Sequence, residues 1–145
     1  MKHVARYFLV LLLTGCVNED IRLYEVELTA DISDPAGRMG PVTVIYQHRE
    51  RTAPGPLAYP LVPIESVSES APGVFRHRVL VPRARGEGLV AYAWMDLNAD
   101  GELCRPGTPP EPAGLVQVNG FPAHALSYRL ELTTACAGAE TLFPK

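Results

Sequence analysis

Between Tyr24 and Ile32 every second residue is apolar. Tyr24, Val26, Leu28, Ala30 and Ile32 occupy one phase, and Glu25, Glu27, Thr29 and Asp31 the other. Successive side chains of an extended chain point to opposite faces, so this pattern predicts a strand with one face buried and one face wet. The same period recurs at Phe75, His77, Val79 and Val81 against Arg76, Arg78 and Leu80. It returns at Leu126, Tyr128, Leu130 and Leu132 against Ser127, Arg129 and Glu131, within a strand read from Leu126 to Thr134. Leu89–Met95 is apolar in both phases and reads as a central strand covered on both sides, with Trp94 as a core anchor. Strands at Val42–His48, near Leu57–Val62 and at Leu115–Val118 bring the set to about seven, with Val67–Gly73 read as a polar link. Asp34-Pro35-Ala36-Gly37 and Asn119-Gly120 carry turn chemistry. Prolines 54, 56, 60 and 63 belong at a sheet edge, where a missing N–H costs no ladder bond. No window repeats apolar residues at i, i+3, i+4 and i+7 over a useful length. The fold class predicted is all-β, a single antiparallel β-sandwich.

The first fifteen residues follow a different rule. Lys2 and Arg6 precede the apolar stretch Tyr7–Leu13, which is too short to span a bilayer, a task for about 20 apolar residues. The stretch ends in Leu13-Thr14-Gly15-Cys16, which resembles the lipobox of bacterial lipoproteins. That resemblance implies cleavage before Cys16, lipid on its thiol, and a membrane as partner through the anchor. Two or more acyl chains hold firmly where one binds reversibly. Val17, not Asp, follows the cysteine, which by the same resemblance favours the outer membrane of a diderm cell envelope. The alternative is an ordinary secretory leader that leaves Cys16 as a structural thiol. The expected organisation is a signal peptide at 1–15, a lipidated tether at 16–21, the sandwich at 22–136 and a C-terminal tail at 137–145.

Residues 16–145 suit one domain. The leader holds two of the 13 basic residues and none of the 16 acidic ones, so the remainder is acidic, eleven against sixteen. Such a balance argues against nucleic acid, which selects clustered Lys and Arg. In an exported chain Cys104 and Cys136 are expected to form a disulfide. Two free thiols, with Cys104 as a nucleophile, are the competing use of the pair.

One loop carries recognisable chemistry. Asp96-Leu97-Asn98-Ala99-Asp100-Gly101 places oxygen side chains at alternate positions and then a glycine, as in the first half of an EF-hand loop. The second half does not follow, because the twelfth position is Gly107 where a bidentate Glu is required. Asx residues and Gly also form ordinary turns, which is the other reading of this run. The segment Ala93–Gly101 with Glu111-Pro112-Ala113-Gly114 resembles the D-x-N-x-D-G…E-P-x-x-G run of Ig-like/prealbumin-like β-sandwiches, above all the B-type repeat domains of Gram-positive surface adhesins. The resemblance implies a structural Ca2+ ion with Asp96, Asn98 and Asp100 as ligands, Glu102 through its backbone carbonyl, and Glu111 closing the sphere.

Catalysis has no positive signal. His48, His77 and His124 lack metal-ligand spacing, and His77 falls on the inward phase of its strand, as a hydrogen-bonded core histidine would. No G-x-S-x-G elbow or phosphate-binding glycine loop occurs. The resulting expectation is a lipid-anchored, non-catalytic envelope module that binds a protein, peptide or glycan through its loops or an edge, with Arg49-Glu50-Arg51 and the Pro-rich stretch as one surface. Two alternatives stand beside it: a small extracytoplasmic hydrolase-like enzyme using Cys104, His124 and Asp100, and a calcium sensor.

Overall fold

The structure, a computed structural model, describes residues 23–50, 58–82 and 88–143. The leader, Cys16, the tether and Arg51 lie outside the described residues, as do the side chains of positions 49 and 50. The strands are β1 (Leu23–Ser33), β2 (Val42–Glu50), β3 (Ala58–Glu69), β4 (Gly73–Pro82), β5 (Leu89–Met95), β6 (Pro112–Val118), β7 (Ala125–Glu131) and β8 (Thr134–Ala135). A four-residue helix, α1 (Ala139–Leu142), follows. Among the described residues no helix is long and apolar enough to cross a membrane.

The strands form two layers, a three-stranded sheet in the order β4-β1-β7 and a five-stranded sheet in the order β3-β2-β5-β6-β8. The expected β-sandwich is therefore present, with one departure in its pairing. β1 pairs β7 in parallel, whereas every other pair is antiparallel. The alternation read in β1 becomes burial: Val26, Leu28, Ala30 and Ile32 are buried, and they meet Val42, Val44 and Tyr46 of β2 in the core between the layers. Each such aliphatic side chain removed from water stabilises the fold by about 1.5–3 kcal/mol.

β5 is buried at all seven positions. Leu89, Ala91, Ala93 and Met95 belong to the core between the sheets, while Val90, Tyr92 and Trp94 enter a second cluster with Leu61, Ala113, Ala139 and Phe143. The C-terminal stretch expected to be a tail is thus part of the domain as far as Phe143. Ala137, Ala139 and Phe143 are buried, and Tyr92 Oη donates to the Ala137 carbonyl at 3.0 Å. The reason is the second apolar face of β5, on which Ala139 and Phe143 pack.

Two other segments differ from the sequence reading. β3 runs on to Glu69 through the expected polar link, because its backbone pairs with Val42–Tyr46 while its serines face solvent. It is an edge strand, as its prolines require, and its register to β2 shifts between Tyr46 and Gln47, opposite Pro63. β7 stops at Glu131, and the chain then changes layer to form β8 against β6. That crossing brings β6 against the end of β7. A Cβ on Gly114 would lie 2.3 Å from the Glu131 carbonyl oxygen, so only glycine fits there.

These connections define two poles. At one, Asp96 N–H donates to the Pro41 carbonyl and Leu132 N–H to the Ser33 carbonyl. The loop from β5 to β6 and the end of β8 share that pole. At the other, Tyr24 meets Phe121 and stacks on His124 at 4.4 Å.

Candidate functional site

The β5–β6 loop is organised around two buried carboxylates. Asp96, at the end of β5, is 7% exposed, and Glu111, just before β6, is fully buried. Asp96 accepts the N–H groups of Asp100 at 3.2 Å and Gly101 at 2.8 Å, a wrap that Gly101 permits with φ of 78°. Burial opposes ionisation of Asp96. The backbone N–H groups of Gly101, Ala99, Asp100 and Asn98 together outweigh it and hold the carboxyl below the ordinary aspartate range. Asn98 accepts the Asp100 N–H at 3.0 Å and donates to the Asp100 carboxylate at 2.9 Å. Glu111 reaches back across the loop. One of its oxygens accepts Leu97 N–H at 3.0 Å and the other accepts Cys104 N–H at 2.7 Å.

One oxygen each from Asp96, Asp100 and Glu111 lie within 4.8 Å of one another. Two oxygens bound to one calcium ion, each at about 2.3–2.6 Å, are at most about 5 Å apart, so this spacing fits a hard cation. The donor set is all oxygen, as calcium selects. Of the remaining residues expected to be ligands, Asn98 is tied to Asp100. The Glu102 side chain turns away into an exposed ion pair with Arg105, at 3.0 Å.

Cys104 and Cys136 are joined in a disulfide, with Cα atoms 5.4 Å apart. The bridge lies against the same glutamate: Cys136 N–H donates to the Glu111 carbonyl at 2.8 Å, and Glu111 N–H donates to Cys104 Sγ at 3.2 Å. Cys104 therefore has no thiol to act as a nucleophile. His124 accompanies Tyr24 at the opposite pole, so the trio Cys104, His124 and Asp100 is not assembled.

A second polar cluster crosses the core between the layers. Tyr46 Oη contacts His77 Nδ1 and lies 2.8 Å from Tyr128 Oη, while His77 Nε2 lies 2.8 Å from a Glu69 carboxylate oxygen. For the tautomer of His77 that donates from Nε2 to Glu69, Nδ1 accepts from Tyr46. Tyr46 oxygen then accepts from Tyr128, so the donors run in one direction from Tyr128 to Glu69. Burial, then the neighbouring Tyr128 and the Glu65 and Glu69 charges, raise the Tyr46 pKa far above the phenol range. Burial likewise pushes Tyr128 up to about 12, against the lowering effect of its bond to Tyr46. The inward phases of His77 and Tyr128 are visible in the sequence. Their meeting with Tyr46 is not, because it joins strands of both sheets.

On the outer face, a shallow open depression of about 450 Å3 lies over β1 and β7, lined by Thr29, Asp31, Ser127, Tyr128 and Arg129. Arg129 pairs there with Asp31 at 2.9 Å. No protein-family model, curated protein or solved structure matches this chain.

Proposed function

We propose that this chain is a lipid-anchored, non-catalytic module of a bacterial cell envelope, its sandwich stabilised by a calcium ion in the β5–β6 loop. The observation that carries the ion reading is the convergence of Asp96, Asp100 and Glu111 oxygens at one pole. Those three residues would hold the cation, with Asn98 and the Glu102 carbonyl as further oxygen donors. The ion would neutralise carboxylates that otherwise repel and would pin the loop between β5 and β6. Support for the anchor is the leader ending in Leu13-Thr14-Gly15-Cys16, and Val17 after it favours the outer membrane. The module presents its loops and edge strands to an envelope protein, peptide or glycan partner.

Two measurements on the full chain test this. Membrane expression with labelled palmitate should label the protein, and Cys16→Ala should abolish the label; equal labelling of both forms removes the anchor. The melting temperature of the detergent-solubilised protein should rise with calcium and return with chelator, and an unchanged value removes the ion. Recovery of one reproducible envelope partner or glycan from solubilised membranes is the expected result of a pull-down, and repeated recovery of none contradicts the binding role.

A further inference from the structure

Among the described residues β4 pairs with β1 alone and is the outer strand of the three-stranded sheet. It runs in unbroken register against β1, from Gly73 opposite Ile32 to Pro82 opposite Leu23, without the register shifts that interrupt β3. The hydrogen bonds of β1 fix which backbone groups of β4 are left over. Glu27 N–H donates to the His124 carbonyl at 2.8 Å and the Ser33 carbonyl accepts Leu132 N–H at 2.9 Å, so the odd-numbered residues of β1 turn toward the β7 side. The even-numbered Val26, Leu28 and Ala30 therefore turn toward β4, where they meet Val79, His77 and Phe75 as hydrogen-bonded pairs. It follows that Val74, Arg76, Arg78 and Leu80 point their N–H and C=O groups away from β1, at the open edge.

The same four residues carry exposed side chains. Val74 is 69% and Leu80 48% exposed, and two guanidinium groups stand between them. Arg78 lies 3.7 Å from Glu27 of β1 and keeps 71% of its side chain in solvent. A strand added to this edge sets one side chain directly opposite each of the four, on the same face. Opposite charges at such positions stabilise a sheet and like charges destabilise it. β1 already presents the favourable case, Glu27 opposite Arg78. The edge thus selects a strand with acidic residues at two alternate positions and an apolar residue two places beyond each. That pattern reads the same in both directions, so it suits either strand orientation.

A second copy of β4 does not match it. When all four outward positions pair antiparallel, Arg76 falls opposite Arg78 of the other copy, and one step of register away an arginine falls opposite its own counterpart. Edge charges of this kind keep like strands apart.

We propose that the β4 edge is a docking site for an extended acidic peptide segment, which joins the sheet as a strand and sets carboxylates against Arg76 and Arg78. The ladder supplies affinity, and the four outward side chains supply the choice of sequence. This rests on the proposed binding role of the module and names the surface and the chemistry of its partner.

The test uses the full chain in detergent and a fluorescent, end-capped peptide, Thr-Val-Thr-Glu-Thr-Glu-Thr-Val-Thr, beside a control with Lys in place of Glu. The expected result is saturable binding of the Glu peptide, tighter than the Lys peptide by on the order of tenfold, with the preference reversed in the Arg76→Glu, Arg78→Glu double variant. Both arginines are exposed, and circular dichroism checks that the variant keeps the fold. At saturation, amide exchange read residue by residue should slow at Arg76 and Arg78, whose N–H groups face the edge. No binding, equal binding of the two peptides, or unchanged exchange at those amides overturns the proposal. Dimers of the peptide-free chain with slow Arg76 and Arg78 amides would assign the edge to a second copy and overturn it too. A pull-down separates this proposal from the binding role itself. An envelope partner recovered equally by the native chain and the double variant overturns β4 as its surface and leaves the role standing, whereas peptide binding with no partner recovered supports the edge and contradicts the role.

Discussion

Replacing Tyr46 by Phe removes one oxygen from a fully buried site and leaves the shape of the core unchanged. That oxygen has two partners, Tyr128 Oη and His77 Nδ1, and in the directed chain it accepts from the first and donates to the second. The substitution strands a buried donor and a buried acceptor, each at a cost of about 1–3 kcal/mol, so the expected loss is about 2–6 kcal/mol. Tyr128→Phe removes only the terminal donor, and Tyr46 keeps its bond to His77, so the loss should be nearer 1 kcal/mol. The double variant discriminates best. With the Tyr46 hydroxyl absent, the Tyr128 hydroxyl is itself an orphan, and removing it should restore part of the stability lost in Tyr46→Phe. Urea unfolding followed by circular dichroism measures all three. A double variant less stable than either single one, by the sum of their losses, would refute the directed chain of donors.

Replacing both Cys104 and Cys136 by Ser should lower stability by about 3–4 kcal/mol on the chain-entropy model, measured by the same unfolding assay; an unchanged midpoint would contradict the structural role of the bridge. Gly114→Ala drives a methyl into the Glu131 carbonyl and should cost about 1–3 kcal/mol, whereas Gly37→Ala, with nothing within 4 Å, strains only its own φ of 68° and leaves β6 and β7 in contact. Tyr128 and Tyr92, both raised to about 12 by burial, bind their protons more tightly folded than unfolded. Their contribution is therefore complete below about pH 10 and is lost as pH rises toward 12. An alkaline melt should show that decline, and Tyr128→Phe should reduce its slope.

The sequence made the layers legible and left their arrangement hidden. Alternation in β1, β4 and β7 assigned Val26, Leu28, His77, Tyr128 and Leu130 to the buried side, and the two-phase run in β5 signalled cover on both faces. Period two says which face is buried, not which strand lies alongside. The parallel pairing of β1 with β7 was therefore out of reach. The cover over Trp94 leaves no trace in the sequence pattern, because its apolar residues, Ala139, Leu142 and Phe143, span too few positions to show any period. The second half of β3 is hidden because its serines, exposed at an edge, resemble a linker in composition.

At the loop, the Asp96–Gly101 spacing pointed to the wrap that the backbone adopts, and the pair Cys104 and Cys136 pointed to the bridge. The resemblance supplied Glu111, and the fold gives it a physical role: a buried carboxylate that gathers Leu97 and Cys104 and sits against the disulfide. The cluster of Tyr46, His77, Tyr128 and Glu69 depended on four strands from two sheets, so no local pattern announced it.

Calorimetric titration of calcium into the chelator-stripped full chain, beside its Asp100→Asn variant, bears most directly on the site. Asp100 is exposed, so the variant keeps its core. The expected result is one ion per chain for the native sequence and markedly weaker binding for the variant. No heat from the native chain, or identical isotherms for the two, would contradict a calcium ion held by Asp96, Asp100 and Glu111.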